Sequence, residues 1–174
     1  MNKAFITGGA GFIGSSIVDK LLSQGHSVVV YDNFSTGQLK FLDKAKKYNN
    51  LNIVNGDLLD KHLLDVSIDN CDIVYHMAAN ADIRHGLDKP YLDIEQNTLA
   101  TFNLLEAMRK KDIKRIVFSS SAAALGEPTV FPTPESCSIP IQTSLYGASK
   151  MACEGLISSY CEGYGFEGYV FRFV

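Results

Sequence analysis

Thr7-Gly8-Gly9-Ala10-Gly11-Phe12-Ile13-Gly14 joins a short apolar run, Lys3 to Thr7, to an amphipathic stretch that begins near Phe12. Each spaced glycine has a physical task. Gly8 permits a tight turn, Gly11 lets backbone approach a pyrophosphate, and Gly14 lets a helix pack against the strand before it. A helix that starts here offers unpaired N–H groups and a partial positive charge to phosphate oxygens. Glycine-rich turns are often only turns. The strand before and the helix after are what turn the spacing into a dinucleotide signal.

Outward from that turn, short β-branched runs alternate with longer helical stretches. Strands are predicted at Lys3–Thr7, Ser27–Tyr31, Asn52–Asn55, Ile73–His76, Arg115–Ser119 and Gly168–Phe173, with helices near 12–24, 36–48, 59–66, 91–111 and 145–164. Val28-Val29-Val30 and Ile116-Val117-Phe118 are continuously apolar, as strands buried on both faces are. The alternation implies right-handed crossovers and an α/β fold: a Rossmann-type doubly wound parallel sheet of about six strands, with helices on both faces. Four of the five prolines (128, 132, 134, 140) fall between Gly126 and Leu145, which predicts a long loop of the lid or binding kind. The chain closes on Phe171-Arg172-Phe173-Val174, inside an apolar strand. Residues 1–174 therefore read as one dinucleotide-binding domain, the front part of a longer protein.

Bulk properties narrow the function classes. The 174 residues are 46% apolar and 20% charged with a net charge of -3, which gives no reason to expect a nucleic acid or an anionic membrane as partner. No apolar run approaches the roughly 18 residues that span a bilayer, and the N-terminus lacks the regions of a signal peptide. Cys71, Cys137, Cys153 and Cys161 form no CxxC pair, which suggests a reduced, cytoplasmic setting. The histidines at 26, 62, 76 and 85 are scattered, so no metal site is expected.

Asp32 follows the second strand, 18 residues after Gly14. A carboxylate there accepts from adenosine ribose hydroxyls and repels a 2′-phosphate, so NAD is expected rather than NADP. Tyr146-Gly147-Ala148-Ser149-Lys150 opens the last helix and puts phenol and ammonium on one face. An ammonium beside a phenol lowers its pKa and suits it to proton transfer with a substrate hydroxyl. The same spacing also fits a half-exposed tyrosine and a solvated lysine that share a face by chance. Ser119-Ser120-Ser121 closes the fifth strand at the carboxyl edge, where doubly wound folds bind ligands, or else makes only local backbone bonds.

Taken in order, GGAGFIG at 8–14, Asp32-Asn33, Gly56-Asp57-Leu58, His76-Met77-Ala78-Ala79, Asn97, Ser119-Ser120-Ser121-Ala122 and Tyr146 to Lys150 resemble one family. It is the extended short-chain dehydrogenase/reductase superfamily, in its NAD-dependent sugar epimerase/dehydratase branch, and the likeness runs from residue 3 to 174. The resemblance implies roles. Gly8, Gly11, Phe12, Ile13 and Gly14 would hold the pyrophosphate, Asp32 and Asn33 the adenosine ribose, and Asp57 and Leu58 the adenine. Ala78 and Ala79 would pass along the cofactor, with Asn97 supporting the site. Ser119, Tyr146 and Lys150 would hold the nicotinamide ribose, and Phe173 would pack near the nicotinamide. Ser121, Tyr146 and Lys150 would be catalytic, Tyr146 as base.

In UDP-glucose 4-epimerase-like members the tyrosine removes the C4 hydroxyl proton as hydride passes to NAD⁺, and hydride returns to the other face of the keto-sugar. The family's 4,6-dehydratase branch usually places an acid pair, Asp-Glu or similar, just after the strand-five serines. This sequence reads Ser121-Ala122-Ala123 instead, which favours an epimerase with a UDP-sugar substrate. The usual Tyr-Gly that follows is Leu125-Gly126, which leaves the sugar open. Another oxidoreductase of the superfamily, or a non-catalytic NAD-binding protein, also remains open. Without the family's C-terminal substrate domain, NAD binding with little turnover is expected of these residues alone. The resemblance also implies a homodimer through the helices near 91–111 and 145–164. Leu99, Phe102, Leu105, Met108, Met151, Leu156, Ile157 and Tyr160 suit either that bundle or packing on the sheet.

Overall fold

The computed structural model describes residues 2–137 and 141–174; Pro140, one of the four loop prolines, lies outside them. Six strands form one parallel sheet: β1 (Lys3–Thr7), β2 (Ser27–Asp32), β3 (Leu51–Asn55), β4 (Ile73–His76), β5 (Arg115–Ser121) and β6 (Glu167–Phe173). Their order is β3-β2-β1-β4-β5-β6, the doubly wound topology the sequence pattern predicts. Every strand boundary falls within two residues of its expected place, and the buried β1 and β2 show as nearly unbroken apolar runs.

Alternation along the strands divides the core between two faces. Phe5, Val29, Val74, Ile116 and Phe118 face one layer, which buries Leu64 of α2 (Lys61–Ser67), Leu104, Leu105 and Met108 of α5 (Ala100–Lys110), and Cys153 and Ile157 of α6 (Leu145–Tyr164). Ile6, Val28 and Val30 face the other, against Val18 and Leu22 of α1 (Phe12–Ser23). Burying each such side chain is worth about 1.5–3 kcal/mol.

Local chemistry sets the helix ends. The Asp60 carboxylate accepts from Leu63 N at 3.0 Å to open α2, and Ser144 Oγ accepts from Gly147 N at 3.0 Å to open α6. Gly165, at φ 67°, closes α6. α1 differs: its N-cap is Gly11, with no side-chain cap and no acidic residue in its first turn.

Two expected helices are corrected. The stretch 36–48 holds only the 3-10 turns Leu39–Leu42 and Ala45–Lys47. Leu42 and Ala45 alone are buried there, too few apolar positions to stabilise a longer amphipathic helix. The stretch 91–111 is composite. A turn of helix, α4 (Pro90–Asp93), runs through a π-helical segment at Ile94–Leu99 into α5. A further short helix, α3 (His85–Asp88), was outside the sequence expectation. The described residues of 126–144 contain no helix or strand, in line with the expected loop. Among the described residues, no helix is long and apolar enough to cross a membrane.

Candidate functional site

The turn between β1 and α1 explains its own glycines, though not all for the same reason. Gly8 adopts φ 65° and donates its N–H to Tyr31 O at 2.9 Å; a Cβ there would stand 2.6 Å from Ala78 N. A Cβ on Gly14 would overlap the Gly8 carbonyl oxygen. Gly11 has an ordinary φ of -82°, and its Cβ would meet only Gly8 O, at 3.2 Å. The fold therefore demands glycine at 8 and 14, whereas at 11 glycine keeps the cradle open. Because α1 starts without a side-chain cap, the N–H groups of its first turn are left for an anion. A cradle that a Cβ would fill, beneath an uncapped helix start, fits a pyrophosphate.

A cavity of about 290 Å³ opens from this turn. Gly8, Gly11, Phe12, Ile13 and Gly14 form one wall, Asp32, Asn33 and Leu58 another, and Ala78 and Ala79 pass along it. Asp57 stands one step behind. It accepts from Asn33 Nδ2 at 2.8 Å through its carboxylate and from the Tyr31 hydroxyl at 2.9 Å through its carbonyl. Asn97, also expected at the cofactor, acts from below: its Oδ1 accepts from Asn80 N at 2.8 Å, and its Nδ2 donates to Ser149 Oγ at 2.9 Å. Met77, Ser35, Thr36 and Gln96 line the cavity without having been expected. The loop residues had a signal, since Asn33 to Gly37 is turn chemistry at a strand end. Gln96 had none, because its direction follows from the π-helical segment.

Asp32 is buried, and its two oxygens brace the site. Oδ2 accepts from Ala10 N at 2.9 Å and Oδ1 from Phe34 N at 2.9 Å. A carboxylate offers about four lone-pair sites, so both oxygens can still accept from ribose hydroxyls.

The second group of expected residues converges at the carboxyl edge of β5. Lys150 is almost fully buried. Its Nζ donates to Ser119 O at 2.8 Å and lies 4.7 Å above the Phe118 ring. Ser119 Oγ in turn donates to His76 O at 3.2 Å. Burial pushes the Lys150 ammonium down to about 8. Tyr146 is half-buried, with its ring centroid 5.9 Å from Lys150 Nζ. The expectation that Lys150 lowers the phenol is corrected here. Burial raises the Tyr146 pKa, a hydrogen bond with the Ser121 side chain pulls it back, and the nearby charge of Asp93 raises it further. The Lys150 ammonium donates to the Ser119 carbonyl and lies over the Phe118 face, not on the phenol oxygen, and burial outweighs the Ser121 bond at Tyr146. Phe173 does not reach the glycine-turn cavity. It lines a second cavity of about 910 Å³ with Leu125, Phe131 and Arg172, between the end of β6 and the 126–135 segment.

A buried polar chain connects the two groups. Ala78 N donates to Thr7 Oγ1 at 3.2 Å, Thr7 Oγ1 bonds His76 Nδ1 at 2.7 Å, and His76 Nε2 bonds Thr101 Oγ1 at 2.9 Å. Thr101 Oγ1 lies 3.2 Å from Cys153 Sγ, whose thiol reaches Asn97 O at 3.4 Å. Burial first, and the Lys150 charge second, push His76 down to about 3, so its imidazole is neutral.

Comparison with known proteins shows the family and the fold. Residues 4–174 match the model of the NAD dependent epimerase/dehydratase family. The chain belongs to that family. It is 38% identical over 170 residues to the UDP-glucose 4-epimerase of Halalkalibacterium halodurans, covering 97% of this chain and 49% of the relative. Among solved structures, it superposes on the UDP-N-acetylglucosamine 4-epimerase of Methanobrevibacter ruminantium in complex with UDP-N-acetylmuramic acid. There the TM-score is 0.92 at 34% identity, over 98% of this chain and 54% of that one. The UDP-glucose 4-epimerase of Brucella ovis in complex with NAD gives a TM-score of 0.90 at 32% identity, over 99% and 51%. The chain of this family member spans about half the length of the relatives it matches.

Proposed function

We propose that residues 1–174 are the NAD-binding half of a nucleotide-sugar 4-epimerase of the UDP-glucose/UDP-galactose type. One observation carries the reading: the Tyr146 phenol, beside Ser121 and one helical turn from buried Lys150, stands on the same sheet edge as an uncapped, glycine-cradled helix start. The relatives' names support the reaction class, and the NAD complex of one of them supports the cofactor.

NAD⁺, when bound, supplies a hydride acceptor. The chain's own residues do the rest. Asp32 accepts from the ribose hydroxyls, and the first turn of α1 neutralises phosphate charge. Tyr146 takes the proton from the sugar hydroxyl, its phenolate stabilised by the Ser121 hydroxyl, while Lys150 holds the nicotinamide ribose. Phe173 packs near the nicotinamide. Ala122 and Ala123 follow Ser121, so no carboxylic acid stands there to expel water. That favours epimerisation over dehydration.

The subunits pair as a homodimer through the outward faces of 90–110 and α6. Leu99 and Phe102 are available for this, at 39% and 41% exposure, whereas Leu105, Met108, Ile157 and Tyr160 are taken up by the core. Four free thiols support a reducing, cytoplasmic setting.

The experiment is to incubate the polypeptide, carried at its relatives' length, with UDP-galactose and no added NAD⁺, and to follow UDP-glucose. Interconversion by cofactor retained through purification is the expected result. A stoichiometric demand for NAD(H) would instead indicate a net oxidoreductase. Tyr146→Phe is expected to lower turnover by about 10²-fold or more while NAD stays bound; turnover like the parent's would remove Tyr146 as base.

A further inference from the structure

Glu154 stands one helical turn beyond Lys150, so Tyr146, Lys150 and Glu154 form a stripe along α6 at i, i+4 and i+8. Its carboxylate is held from two sides. Ser120 Oγ donates to Oε1 at 2.5 Å, while Arg172 donates through Nε to Oε1 at 3.0 Å and through Nη2 to Oε2 at 2.7 Å. The Glu154 side chain is 12% exposed and that of Arg172 30%, so this fork is mostly shielded from water, where such pairing is directional.

The placement of the partners gives the clamp its meaning. Ser120 and Arg172 are register partners on β5 and β6, and the next pair along is Ser121 and Phe173. Strand alternation sends the first pair toward α6 and the second to the opposite face. Holding the first pair on Glu154 therefore fixes the second relative to the Tyr146–Lys150 stripe. The adenosine end is built from β1, β2, α1 and the Asp57-Leu58 turn after β3, and shares no residue with the clamp.

We propose that Ser120, Glu154 and Arg172 act as a positioning clamp for the nicotinamide end of the site, fixing the strand ends that carry Ser121 and Phe173 relative to Tyr146 and Lys150. This rests on the NAD reading above. None of the three is a catalytic residue; each acts through a neighbour. The clamp adds to the preference of the site for whole NAD⁺ over its adenosine diphosphate ribose portion, and adds nothing to binding of that portion.

The test is calorimetric titration of the chain and of its Glu154→Gln, Arg172→Met and Arg172→Lys variants with NAD⁺ and, separately, with ADP-ribose. Thermal midpoints are taken alongside. The parent should bind NAD⁺ more tightly than ADP-ribose. In Glu154→Gln and Arg172→Met, NAD⁺ should weaken about tenfold while ADP-ribose stays within about twofold of the parent. Arg172→Lys, which keeps the charge and loses the fork, should recover part of the difference. Should Glu154→Gln fail to fold, Ser120→Ala removes one arm of the clamp and must show the same selective loss in smaller measure.

Equal weakening of both ligands, no weakening of either, or no preference for NAD⁺ in the parent would overturn the clamp. A parent that binds neither ligand would overturn the NAD reading itself, which is a distinguishable result.

Discussion

His76 is engaged at both ring nitrogens, stacked on Phe118 at 5.4 Å, and held at a pKa near 3 by burial. The unfolded chain takes up a proton at this residue near the ordinary value of 6.5, and the fold refuses it. Its contribution to stability is therefore complete above about pH 6.5 and is lost as pH falls toward 3. Glu106, held at about 2 mainly by its hydrogen bond with Arg109, loses its contribution only below its ordinary 4.5. The interval from pH 6.5 to 5 thus belongs to His76 among these two. Urea denaturation should show the chain losing about 1.4 kcal/mol per pH unit there. His76→Gln should be less stable at pH 7 and flat across the interval; an unchanged slope would assign the titration to another group. At this scale, residue types and spacing were legible in the sequence and electrostatic outcomes were not. Tyr146 and Lys150 could be read as a pair, but the lysine's commitment to the Ser119 carbonyl depends on how far α6 stands from β5, which no spacing encodes.

The glycine turn separates folding from binding within one element. Gly14→Ala drives a methyl into the Gly8 carbonyl, a backbone atom that cannot swing away. The variant should lose about 2–3 kcal/mol of stability by denaturant titration. Gly11→Ala meets only one oxygen at 3.2 Å and needs no unusual φ. Its stability should stay within about 1 kcal/mol of the parent, while ADP-ribose affinity falls at least about tenfold because the methyl occupies the phosphate cradle. A Gly11→Ala variant that binds normally would show that the pyrophosphate lies elsewhere. Elements also differ in how clearly the sequence declares them. Strands β2 and β5 are continuous apolar runs and were legible almost to the residue. The 36–48 stretch looked helical by composition but buries only Leu42 and Ala45, so tertiary packing leaves it as two short turns. The π-helical segment at Ile94–Leu99 was invisible for a related reason: the extra residue per turn carries Asn97 inward to Ser149 and Asn80, a gain made only once those partners are in place.

Across the whole molecule, the two faces of the sheet are covered unequally. Beneath β4 and β5, α5 and α6 bury Val74, Ile116 and Phe118, while Val170 of β6 on the same face stays 37% exposed. On the opposite face, Tyr75, Val117 and Tyr169 are aligned by register across the three strands. Phe171 and Phe173 stack at 6.5 Å beside them. α1 packs on β1 and β2 and reaches only as far as Tyr75, leaving Tyr169, Phe171 and Phe173 at 52%, 53% and 46% exposure. Parallel sheets are ordinarily buried on both sides, and a contiguous aromatic patch in water is a site of association. The 174-residue chain should therefore enhance the fluorescence of an apolar dye such as ANS while folded, and self-associate as its concentration rises. Tyr169→Thr with Phe171→Thr should suppress both effects. Because these side chains are only half-buried and threonine suits a strand, the double variant should unfold within about 0.5–1 kcal/mol of the parent. A parent that binds no dye and stays monomeric would mean that this face is satisfied by water, and the unequal covering would then carry no energetic consequence.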